Sequence, residues 1–162
     1  MPKSQQLQIR VSSSQKAALK RHARLAGMDM SAYVLSRALP VASAKVAGVV
    51  GRLAGPDGYK FGLAELNDLL AGLPGAAFAD AVAEIDVQKL SPFLQNYVTA
   101  MVEHAGHQKL VPPPAWAAAV EPLDLPYFAV TFPKLRMHLL RTAPVAFKRR
   151  NIFVDATVGD RV

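Results

Sequence analysis

Residues 6–11, Gln6-Leu7-Gln8-Ile9-Arg10-Val11, alternate polar and apolar side chains without a break. At the two-residue period of an extended chain, Leu7, Ile9 and Val11 share one side and Gln6, Gln8 and Arg10 the other. The spacing predicts a strand. A helical pattern follows at once, so no hairpin partner lies nearby. A lone strand leaves its backbone groups and its apolar side without partners. The economical solution is a second copy of the same chain. Two such strands pair antiparallel across a twofold axis, turn Leu7, Ile9 and Val11 onto helices, and display Gln6, Gln8 and Arg10 twice on the open face.

The period then changes. Ser12 and Gln15 fit the S-x-x-Q capping box, which predicts a helix starting at Ser12. Ala17, Ala18, Leu19, Ala23, Leu25 and Ala26 give it an apolar face, and Lys16, Lys20, Arg21 and Arg24 a wet one. Gly27 is a natural stop. Asp29 can cap a second helix, in which Ala32, Tyr33, Val34, Leu35, Ala38 and Leu39 run to Pro40. Strand, helix, tight turn and helix thus fit within 40 residues.

Beyond Pro40 the pattern is helical. Val46, Val49, Val50 and Leu53 mark a helix in 41–54, and Gly55-Pro56-Asp57-Gly58 a turn. Leu63, Leu66, Leu69, Leu70 and Leu73 predict an amphipathic helix ended by Pro74-Gly75. Phe78, Val82 and Ile85 mark another, 92–105 a longer one, and 132–142 a last one with Leu135, Leu139 and Leu140 inward. Residues 112–126 hold five of the chain's twelve prolines and its single Trp. They predict an ordered loop pinned by Trp116, Leu123, Tyr127 and Phe128.

Composition adds limits. An apolar fraction of 51% is globular. The chain has no cysteine, hence neither disulfides nor thiolate metal sites. No apolar run nears the roughly 18–20 residues that cross a bilayer, and the first residues show no signal-peptide pattern, so a cytoplasmic protein is expected. The net charge of +7 is uneven. Residues 1–40 carry seven Lys/Arg against one acid, 41–126 five against nine, and 127–162 seven against two. A basic N-terminal unit, doubled in a dimer, suits a polyanion. Gln pairs bidentately with adenine and Arg with guanine, and a two-stranded ribbon fits the major groove.

The order and spacing of these pieces resemble the ribbon–helix–helix DNA-binding family, the Arc and MetJ type. The likeness rests on Gln6-x-Gln8-x-Arg10, Ser12-x-x-Gln15-Lys16, Leu19, Ala23, Leu25-Ala26-Gly27-Met28 and Ser31-Ala32-Tyr33-Val34, and covers the first quarter of the chain. It implies base contacts by Gln6, Gln8 and Arg10. It implies phosphate contacts at Asp29, Met30 and Ser31 where the second helix begins, with Lys3 and Lys16 as further phosphate ligands. Asp29 departs in charge from what a phosphate prefers.

The C-terminal part also resembles a family, of bacterial antitoxin-like proteins encoded beside nucleotidyltransferase-like toxins. Pro112-Pro113-Pro114-x-Trp116, Leu123 to Phe128, Leu135-Arg136 and Phe147 to Phe153 carry that likeness. It implies a toxin-binding region, for which Trp116, Lys148, Arg149 and Arg150 are the candidate contacts. Against them stand plainer readings, a core-pinning Trp and a solvated charge run at a helix end.

No enzyme site is visible. The chain lacks G-x-x-x-x-G-K-[ST], G-x-G-x-x-G in a βαβ setting and H-E-x-x-H. His104 and His107, with Glu103 near, want the further ligands a metal needs. The expectation is a mainly α protein without enzymatic activity, cofactor or metal. It has a dimeric ribbon–helix–helix head at 1–40, with one short strand per chain, a connecting helix and linker at 41–55, and an all-helical partner-binding region at 56–162. The leading functional expectation is an antitoxin and autorepressor that binds operator DNA and its toxin. The alternatives are a plasmid relaxosome accessory protein and a transcription regulator with a helical effector domain.

Overall fold

The structure, a computed structural model, describes residues 8–38, 41–55 and 59–157. The chain divides into two compact units, Met1–Pro40 and Val41–Val162. Lys3, Gln6 and Leu7 lie outside the described residues, as do Leu39, Pro40 and residues 56–58 of the expected turn. The protein is mainly helical.

In the first unit, α1 (Ser13–Leu25) and α2 (Met30–Ala38) pack on each other. Ser12 accepts a hydrogen bond from the Gln15 amide while the Gln15 side chain accepts from the Ser12 amide at 2.9 Å, so the capping box forms on both sides. At the far end Gly27 takes φ +65°. The Met28 amide donates to the Ala23 carbonyl at 3.0 Å and the Gly27 amide to Arg24 at 3.1 Å, a Schellman stop.

The second unit is built around α6 (Pro92–Gln108), which begins at the Ser91 cap with proline in its first turn. Val98, Thr99, Ala100 and Val102 on this helix are fully or almost fully buried. Helices α4 (Tyr59–Gly72) and α5 (Gly75–Val82) pack against α6, and α3 (Val41–Arg52) packs on α4 and α5. Val46, Val49, Val50 and Leu53 of the 41–55 segment are all in the core. That segment, expected as a connector, is therefore an integral part of the second unit. Gly62 is needed where α4 crosses it, because a Cβ there would lie 2.5 Å from Leu53 Cδ2.

The C-terminal part is less regular than an all-helical region. A 3₁₀ turn (Ala115–Ala119) leads to β1 (Tyr127–Phe128), then α7 (Pro133–Thr142), α8 (Val145–Arg149) and β2 (Ile152–Phe153). The two strands pair in parallel, Tyr127 with Ile152 and Phe128 with Phe153. Two residues are too few for an alternating pattern to show. On α7 only Leu139 is buried. Leu135 and Leu140, expected inward, are exposed; the small cluster that seats Leu139 consists of Ala143 and Phe153, with Phe128 and Val130 packed against it.

Two of the four expected partner contacts have interior roles. Trp116 packs against the main core and its Nε1 donates to the Val82 carbonyl at 2.8 Å, which holds the proline-rich loop to α5. Arg150 is buried, and its guanidinium pairs with Glu103 of α6 at 2.6 Å. It also donates to the Ala117 carbonyl at 2.8 Å and to the Val120 carbonyl. Lys148 Nζ caps the Arg141 carbonyl at 2.9 Å, and Arg149 stays exposed. Replacing Arg150 by Ala strands the Glu103 carboxylate and takes a donor from the carbonyls of Ala117 and Val120. We expect Arg150→Ala to cost about 3 kcal/mol or more in denaturant unfolding of the full chain, against under about 0.5 kcal/mol for Arg149→Ala. Equal small losses would show that the ion pair contributes nothing.

Candidate nucleic-acid interface

The candidate interface lies in the first unit, where local hydrogen bonding sets its geometry. Gln8, Ile9, Arg10 and Val11 precede α1 without regular secondary structure in the single chain, and all four are exposed. The capping box directs this segment into α1 at Ser12. Lys16, Lys20, Arg21 and Arg24 are exposed along α1, and no acidic residue occurs in its first turn. Gln8, Arg10 and Lys16 are thus accessible.

The start of α2 gives each residue of the expected phosphate site a different part. Asp29 is the cap: its Oδ1 accepts from the Ala32 amide at 2.9 Å, and its carbonyl accepts from the Tyr33 amide at 2.9 Å. A carboxylate there takes up one amide that a phosphate would use and repels the anion. Asp29 therefore has a structural role as the cap of α2. Met30 and Ser31, the first two helical residues, are exposed, and among the described residues nothing accepts from their amides. Two amides at a helix start suit an anion.

The apolar side chains of this unit are the second feature. Of its described residues only Ala23 is buried. Ile9 is 58% exposed, Leu25 80% and Met28 48%, with Val11, Met30 and Leu35 also open. Leu25 had been expected on the inward side of α1. Sequence periodicity could not separate a side chain packed within one chain from one that needs another chain, since both follow the same period.

Elsewhere the expected absence of a site remains an expectation. Among the described residues, no group of three or more His, Asp and Glu is placed to hold a metal ion. His104 faces Gln108 at 3.2 Å and the Phe147 ring. No helix of the described residues is long and apolar enough to cross a membrane.

The turn between α1 and α2 sets the placement of the Met30 and Ser31 amides. A Cβ on Gly27 would meet nothing within 4 Å, so the cost of Gly27→Ala is conformational rather than steric. It should amount to about 1 kcal/mol, and Asp29→Ala should cost a similar ~1 kcal/mol through the lost cap. Thermal melts at several protein concentrations check this, and two unchanged midpoints would contradict it.

Residues 1–49 match the family model described as NikA-like, Mobilization protein NikA. The match spans the whole first unit and runs into α3. No curated protein and no solved structure matches the chain. The match supports a ribbon–helix–helix-like DNA-binding protein over this N-terminal part.

Proposed function

We propose that this chain is a DNA-binding accessory protein of plasmid mobilisation, one that grips a transfer origin as part of a relaxosome. The match of residues 1–49 to the NikA-like mobilization family carries this reading. The head's basic charge suits the substrate. Seven Lys/Arg stand against one acid in residues 1–40, and a dimer doubles them. Its poor burial suits a head that completes its core with a second copy. In that dimer Leu7, Ile9 and Val11 cover the helices, Gln6, Gln8 and Arg10 face the base edges, and the Met30 and Ser31 amides, with Lys3 and Lys16, hold phosphates. The antitoxin and autorepressor reading, with its toxin partner, draws only on the C-terminal likeness. The family match lends it nothing, and Trp116 and Arg150 have interior work.

Two titrations test the base-reading assignment. Arg10→Ala should lower affinity for the origin duplex by on the order of 10- to 100-fold, since both copies lose a pair worth about 1–3 kcal/mol. Affinity for scrambled duplex should fall far less. Equal losses on both duplexes would make Arg10 a phosphate clamp.

The biological role has its own test. Deleting the gene should abolish nicking at the origin and transfer of the plasmid, and Arg10→Ala should reproduce the defect. Unimpaired transfer would sink the reading. So would a toxic neighbouring gene product that this chain neutralises.

A further inference from the structure

The second unit carries a surface that the DNA-binding reading does not use. Helix α7 turns Leu139 and, just past its end, Ala143 onto Phe153. On the flank of the helix next to that seat, Pro133, Met137 and Leu140 follow at i, i+4 and i+7, so they form one ridge. Met137 is 64% exposed and Leu140 39%. Arg136 lies along one edge of this ridge, held over the Phe128 ring at 5.3 Å. Lys134 and Arg141, seven residues apart, lie along the other. Lys148 adds a cation at the C-terminal end, where it donates to the Arg141 carbonyl. Helix α7 has no acidic residue.

An apolar ridge between two cationic rows is a poor fit to phosphate alone, which gains nothing from covering Met and Leu. Exposed Met with Arg at its border is the composition of a protein interface. The basic rows select the partner's sign. The first unit is itself strongly basic, and a second α7 carries the same cations, so neither complements this surface.

We propose that the outer face of α7 is a docking surface for an acidic amphipathic helix of a partner protein, its apolar row seated on Met137 and Leu140 and its carboxylates on Arg136, Lys134 and Arg141. The geometry is that of coiled-coil pairing, where flanking charges set partner choice around an apolar seam. It is independent of the DNA-binding reading, since it rests on the second unit alone.

A labelled peptide of about 18 residues, with leucines at i, i+4 and i+7 flanked by glutamates, is the probe, read by fluorescence anisotropy with the full chain. Binding at roughly micromolar Kd that weakens with salt is expected. Met137→Ala with Leu140→Ala keeps every charge and should weaken it at least tenfold. Arg136→Gln with Arg141→Gln should do the same. Lys20→Gln with Arg24→Gln, in the first unit, should leave it unchanged, which separates this surface from overall charge. Circular dichroism checks that each variant folds.

Four results with the peptide would overturn the proposal. They are no binding of the peptide, equal binding of a version with lysines for the glutamates, an unaffected Met137/Leu140 variant, and a loss shared by the Lys20/Arg24 variant. A Met137/Leu140-dependent self-association in sedimentation would overturn it in favour of a second copy. Met137/Leu140-dependent binding to phosphatidylserine vesicles would do so in favour of a membrane.

Discussion

The guanidinium of Arg150 holds together the parts of the second unit that could not form alone. The Ala115–Ala119 turn, the five-residue α8 and the two-residue strands are each far below the length at which helix or sheet persists unaided. From its place at the end of α8, two residues before β2, Arg150 ties the turn to α6 through Glu103 and the carbonyls of Ala117 and Val120. Asn151, next in the chain, takes φ +61° and donates its side-chain amide to the Leu123 carbonyl at 2.9 Å. Its own carbonyl starts the β1–β2 ladder by accepting from Tyr127. The dependence runs on through Phe153, which stacks on Phe128 at 4.7 Å and seats Leu139 of α7. Removing the charge from water is costly, so such a pair gives specific geometry more readily than net stability.

The first unit faces the opposite constraint. It has good local grammar, with a reciprocal capping box, a Schellman stop and an Asp cap within 20 residues or so. Yet local grammar contributes about a kcal/mol per device, and a unit with one buried side chain among its described residues has little core to add. In the proposed dimer, the exposed Ile9, Val11, Leu25 and Met28 supply the missing half of that core. Folding and association of such a head are then one process. In the proposed dimer, the strand pairing that would bury Ile9 would also order Gln8 and Arg10 for DNA.

Much of this was legible in the chain. Ser12, Gln15, Gly27 and Asp29 announce their helix ends because capping is read over three or four residues. The leucines of α4 announce its buried side for the same reason. What stayed hidden depends on distant contacts. Arg150 looked like a member of a solvated run with Lys148 and Arg149, since nothing near it reveals the carbonyls of residues 30 positions away. The connector at 41–55 became core for a comparable reason, because the partners of Val46 and Val50 lie on helices that follow it. Leu135 and Leu140 kept a helical period, but a period says which residues share a face and not whether anything covers it.

That distinction separates the two basic surfaces. On α1 the exposed cations Lys16, Lys20, Arg21 and Arg24 stand among Ser13, Ser14 and Gln15, and no exposed large apolar side chain lies among them before Leu25. On α7 cations of the same sign border Met137 and Leu140. Charge alone would send both to any anion, with an affinity that decays as salt screens it. The neighbours decide. Polar surroundings keep their water against a phosphate backbone, whereas a methionine–leucine ridge gains only from a partner that excludes water from it. One chain can therefore hold two cationic faces without each competing for the other's partner, because desolvation rather than charge distinguishes them.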